Sequence, residues 1–214
     1  MRRRSLLLSL LVLVLVAGIW GQRPTRSAGW AREATPPVLS DVSFPITPAP
    51  AGCTIEPRPV ELIETLLGTP VAGGAPDRDA RPAEPSSAEV PIGEWADEEV
   101  REGIITTVVE SSACFNAGDS RRAFALVSDA FLQGYVAENA LTAEDIAFLT
   151  AGPEPILAEA RETILAVTDV STLDDGRAGA FVVTSSEWSG PDTAYLLFVQ
   201  SGERWLIDEV IAFL

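Results

Sequence analysis

Two periodicities divide the C-terminal part of the chain. Val100, Ile104, Ile105, Val108, Val109 and Phe115 recur at helical spacing, which lays an apolar stripe along one long helix. Ala96-Asp-Glu-Glu99 precedes it and puts acids where the helix dipole favours them. Gly118 suits the end of that helix, and Asp119 suits the cap of a second, from Ser120 to about Val127. A third helix is expected after Thr142, whose hydroxyl can cap while Asp145 takes the capping-box position. Leu141 and Ile146 fall where a hydrophobic staple belongs, and Gly152-Pro153 stops the helix.

Beyond that point the period becomes two. Thr163–Val170, Ala178–Trp188, Thr193–Gln200 and Trp205–Leu214 are runs rich in Val, Ile, Phe, Leu and Tyr, the signature of strands. Asp174-Asp175-Gly176, Ser189-Gly190-Pro191-Asp192 and Ser201-Gly202-Glu203 separate them. Breaks this short make consecutive strands antiparallel neighbours. Helices followed by an antiparallel meander define an α+β domain over residues 96–214.

Upstream, proline changes the picture. Of the 16 prolines, 13 fall between Pro24 and Pro91, too dense for regular helices or sheet ladders. Residues 22–95 therefore read as a Pro-rich tether that cannot bury enough apolar surface to offset its ordering entropy. One helical island, residues 53–68, interrupts it. Pro59 suits a first helical turn, Gly68 suits an end, and Val60, Ile63, Leu66 and Leu67 recur at helical spacing between them. So short a helix is marginal alone in water, so its stripe is expected to dock. The expected place is the outer side of the first long helix or an edge of the sheet.

Residues 1–21 read as a signal peptide or N-terminal anchor. Arg2, Arg3 and Arg4 form a positive start, and Leu6 to Ile19 an uncharged apolar run. The run is short for a spanning helix, which needs about 20 residues. An extracytoplasmic location is expected, secreted or anchored at the membrane by that segment.

The formal charge of −16 repels phosphate backbones and anionic headgroups. No nucleic-acid partner is expected, and membrane contact only through an uncleaved N-terminus. Histidine is absent and all 15 basic residues are arginine. That excludes a Ser-His-Asp triad, a Cys-His pair and a His-ligated zinc. With two cysteines, Cys-only metal sites are excluded as well, so no metal and no cofactor is expected.

Cys53 and Cys114 make an even count in an oxidising compartment, which predicts a disulfide. At roughly 100° per residue, Cys114 falls away from the apolar stripe of its helix and is free to meet the island. Asp208 and Glu209 are adjacent on the last strand, so one is expected on each side of the sheet. A carboxylate facing apolar walls has a raised pKa and can act as a base; the plain alternative is a solvated strand end or a partner for Arg204. Tyr135 and Tyr195 can donate to an oxyanion, or are ordinary half-buried aromatics. Trp188 and Trp205 read as packing, and Asp174-Asp175 as turn chemistry rather than a calcium site.

The order helix, helix, short helix and long meander resembles the nuclear-transport-factor-2-like cone, including the SnoaL-like polyketide cyclases. Cys114-Phe-Asn-Ala-Gly-Asp119 and Gly202-Glu-Arg-Trp-Leu-Ile-Asp-Glu-Val210 carry that resemblance. It implies a pocket between a concave sheet and the long helices, and dimerisation through the sheet, so a homodimer is among the expectations. Enzymes of that family pair an Asp with a His or a Tyr, and this chain has no His. The expected function is therefore an exported, non-catalytic module that binds a small apolar ligand or a protein partner. The alternatives are a carboxylate- and tyrosine-dependent isomerase, cyclase or dehydratase, or a structural dimerisation domain.

Overall fold

The computed structural model describes residues 44–68, 90–139 and 142–212. The N-terminal apolar segment, tether residues 22–43 and 69–89, and the staple residue Leu141 lie outside the described residues. Among those described, five α-helices pack on a five-stranded antiparallel sheet, an α+β fold. The helices are α1 (Val60–Gly68), α2 (Glu98–Asn116), α3 (Ser120–Ala123), α4 (Asp129–Asn139) and α5 (Ala143–Leu149). The strands are β1 (Glu94–Trp95), β2 (Thr163–Thr172), β3 (Ala178–Ser186), β4 (Gly190–Ser201) and β5 (Arg204–Ala212), and the sheet keeps them in chain order.

The start of α2 is set by Asp97, whose carboxylate accepts the Val100 amide at 2.9 Å. Its end is set by Gly118, which adopts φ +65° and whose added Cβ would meet the Glu154 carbonyl oxygen at 1.8 Å. Only glycine meets both demands. Asp119 caps the next turn as expected, but the helix it starts is short: Ser120–Ala123 tightens into a 3₁₀ turn over Phe124–Leu126. Thr142 and Asp145 form the expected capping box of α5. Helix α4 has no apolar stripe to announce it and carries Gly134 in its middle. Its start is marked instead by Ser128, whose Oγ accepts the Phe131 amide at 3.0 Å.

The inner face of the sheet and the helices share one core. Ile104, Ile105 and Val108 of α2 meet Ile164, Val167, Val182, Phe198 and Ile207 of the strands there. Helix α2 crosses β5 closely: a Cβ on Gly103 would lie 2.6 Å from the Trp205 ring, and Thr107 Oγ1 donates to the Trp205 carbonyl at 2.8 Å. On the outer face Tyr195, Leu197, Ile211 and Leu173 form a separate cluster, closed by Val90 and Phe181.

Residues 44–68, assigned to the tether by composition, are built into this unit. Ile46 and Ile164 exchange both backbone hydrogen bonds, at 2.9 and 2.8 Å. Cys53 and Cys114 are joined, with their Cα atoms 4.5 Å apart. Arg122 Nε donates to the Ile55 carbonyl at 2.8 Å, and Arg58 donates to Asp129 at 2.6 Å and to the Val127 carbonyl at 2.7 Å. The island helix α1 then docks through Ile63, fully buried, and Leu66. Its main partner is α4, while Cys53 and Ile55 at the start of the island pack on Ala113 and Cys114 of α2, as expected. The contact with α4 was missing from the expectation because α4 itself shows no apolar stripe.

Candidate ligand cavity

A cavity of about 160 Å³ lies between the helices and the inner face of the sheet. Helix α2 supplies Val108, Ser111, Ser112 and Phe115, and the turns after it supply Ala123, Phe124 and Val127. Phe131 and Tyr135 come from α4, with their rings stacked at 6.4 Å. The floor alternates as strands do: Val182 and Thr184 of β3, then Asp192, Ala194 and Leu196 of β4. Ile207 and Val210 of β5 complete it, although three positions apart.

A bulge reconciles that spacing with a period of two. Phe198 pairs with Ile207 and Leu197 with Glu209, so Asp208 is the extra residue. The sequence placed one of Asp208 and Glu209 on each side of the sheet, and the bulge corrects this. Glu209, opposite Leu197, shares the outer face with it. Asp208 accepts from Ser128 Oγ at 2.6 Å, and Arg177 lies 3.7 Å from Asp208 and 3.4 Å from Glu209. Neither carboxylate lines the cavity. Arg204 pairs with Glu110 at 2.6 Å rather than with either of them.

Of the two tyrosines, Tyr135 lines the cavity and Tyr195 does not. Tyr195 is buried on the outer face, edge-on to Phe181 at 5.0 Å, with its hydroxyl 3.4 Å from Ser171 Oγ and 3.5 Å from the Pro91 carbonyl. It fits there because Gly179 has no Cβ, which would otherwise stand 2.0 Å from the hydroxyl. Asp175 accepts the Arg177 amide at 3.0 Å and its Nε at 2.8 Å, the turn chemistry read from the sequence.

The more deeply buried acid of the cavity is Glu162, just before β2. Its backbone is clamped by the fully buried Asn116: Nδ2 donates to the Glu162 carbonyl at 3.0 Å and Oδ1 accepts the Glu162 amide at 2.7 Å. The same Nδ2 donates to the Pro48 carbonyl at 2.9 Å. Ser112 Oγ donates to Glu162 Oε1 at 2.5 Å. Burial pushes the Glu162 carboxyl up, toward holding its proton, and the Ser112 hydrogen bond opposes this only in part. Asp192 is also pushed up by burial, against the hydrogen bond from the Thr193 amide. Burial, with the nearby Asp145 charge, pushes the Tyr135 phenol to about 12. The polar groups of the cavity are thus held toward their neutral forms.

Glu162, Asp192, Ser112 and Asn116 escaped the sequence reading. Asp192 and Glu162 share the alternation of Ala194 and Ile164, and carrying the period of two past each strand end would have turned both inward. Asn116 stood in the Cys114–Asp119 motif with no role assigned. No family model, curated protein or solved structure matches the chain.

Proposed function

We propose that this chain is an exported small-ligand-binding module of the nuclear-transport-factor-2-like type, its cone formed by the helices over the sheet. The observation that carries this is the cavity itself, with mostly apolar walls and few polar groups. Filling an apolar space of about 160 Å³ with side chains would stabilise the fold, so keeping it open has a cost that ligand binding would explain. The Arg2–Arg4 start, the apolar run after it and the Cys53–Cys114 bridge support export to an oxidising compartment. The test is benzene, since apolar cavities of about 150 Å³ admit it. Saturating benzene should raise Tm and shift the methyl resonances of Val182 and Ile207. Ala194→Phe, which fills the space, should abolish both effects. If the unmodified protein shows neither effect, a binding cavity is refuted.

A second reading, an isomerase, cyclase or dehydratase, draws on one observation: Tyr135, Glu162 and Asp192 line the same cavity. Two carboxyls and a phenol in one enclosure can move a proton between carbon and oxygen. Mass spectrometry of molecules co-purified with the exported protein separates the two. A single retained compound supports binding; a substrate–product pair supports turnover.

A further inference from the structure

Among the described residues, the ionisable groups that line the cavity are Glu162, Asp192 and Tyr135, and no arginine lines it. Every one of them is an acid. An anionic ligand would find no counter-ion among them and would oppose the ionisation of either carboxyl, in surroundings that screen little. Phe115, Phe124, Phe131 and Tyr135 turn aromatic surface toward the same space, and aromatic faces attract cations. The chain as a whole carries −16, which raises the local concentration of cations around it.

Glu162 is placed to serve as the counter-ion. Its backbone is fixed by Asn116 and one carboxyl oxygen by Ser112, so little ordering remains to be done on binding. Resting on the binding function proposed above, we infer that the ligand is a small organic amine, bound as its ammonium against Glu162 with its apolar body against the aromatic wall. The size of the cavity limits that body to about one benzene ring. Burial already disfavours a lone Glu162 charge, and a seated ammonium supplies the missing partner.

Calorimetry on the full chain tests this with three probes of one size: benzylamine, ethylbenzene and benzoate. Benzylamine should bind about tenfold or more tighter than ethylbenzene, the scale of a charge-assisted hydrogen bond, and benzoate should bind weakest. Glu162→Gln should weaken benzylamine by about tenfold and leave ethylbenzene within about threefold. Ethylbenzene binding as well as benzylamine, or benzylamine indifferent to Glu162→Gln, overturns the amine and leaves the cavity standing. Binding of none of the three overturns both readings. Should Glu162→Gln fail to fold, benzoate still decides on the unmodified protein: affinity equal to that of benzylamine refutes the inference.

Discussion

Replacing Asn116 by alanine removes one side chain and three buried hydrogen bonds together. Nδ2 serves the carbonyls of Pro48 and Glu162, and Oδ1 serves the Glu162 amide. At about 1 kcal/mol for each bond, and more where the orphaned backbone group stays dry, the loss is about 3 kcal/mol. That is a large part of the roughly 5–15 kcal/mol that holds a domain of this kind folded. With a urea m-value of about 2 kcal/mol/M, the midpoint should fall by about 1.5 M. The assay is urea unfolding monitored by tryptophan fluorescence, with the disulfide intact in both proteins. Asn116→Asp should fall at least as far as alanine, because its second oxygen would face the Pro48 and Glu162 carbonyls with no proton to donate. A midpoint shift below about 0.5 M at unchanged m-value would show that water replaces the amide at little cost. Asn116 would then not be the joint between the segment around Pro48, α2 and the start of β2.

Two further expectations concern titration and the cross-link. Because the folded pKa of Glu162 is raised above its ordinary 4.5, the folded state holds a proton that the unfolded chain releases. Stability linked to this group is therefore present at low pH and lost as pH rises from about 4.5 through the folded value. Glu162→Gln should flatten that decline in melting experiments across pH 4–8; an unchanged slope would place the titration elsewhere. The exposed carboxylates Glu98, Asp145 and Asp175, held low by hydrogen bonds, act in the opposite sense. Cys53→Ser/Cys114→Ser opens a loop closed over a separation of 61 residues and should cost about 4 kcal/mol. Peptide mapping of unreduced protein should recover the two cysteines as one linked species, and two free thiols would contradict the bridge.

The sequence showed the elements whose signal is local and hid those whose signal is not. Caps at Asp119 and Thr142, the strand runs and the turn residues are decided within a few positions, and they were legible. Helix α4 was not, because it buries Leu132 in the core, turns Phe131 and Tyr135 to the cavity and meets α1 as well. A helix contacted from several directions shows no single apolar face. The strap at residues 44–59 was hidden by its prolines, which forbid regular structure yet not docking. Its partners lie far along the chain: Asn116 and Arg122 donate to the Pro48 and Ile55 carbonyls, and Arg58 donates to the Val127 carbonyl. Asp208 and Glu209 stand on the last strand where a one-residue bulge decides orientation, and no local pattern announces that bulge.

That extra residue, Asp208, lets Ile207 and Val210 face the same way although three positions apart. Straightening the bulge at unchanged length would exchange the two sides of the strand beyond Ile207. Val210 would leave the cavity floor, and Ile211 would leave the cluster around Tyr195 to replace it. Deleting Asp208 outright would instead give plain alternation with Val210 and Ile211 each still on its present side. The open interior therefore survives the loss of a residue here but not the loss of the bulge with every residue kept.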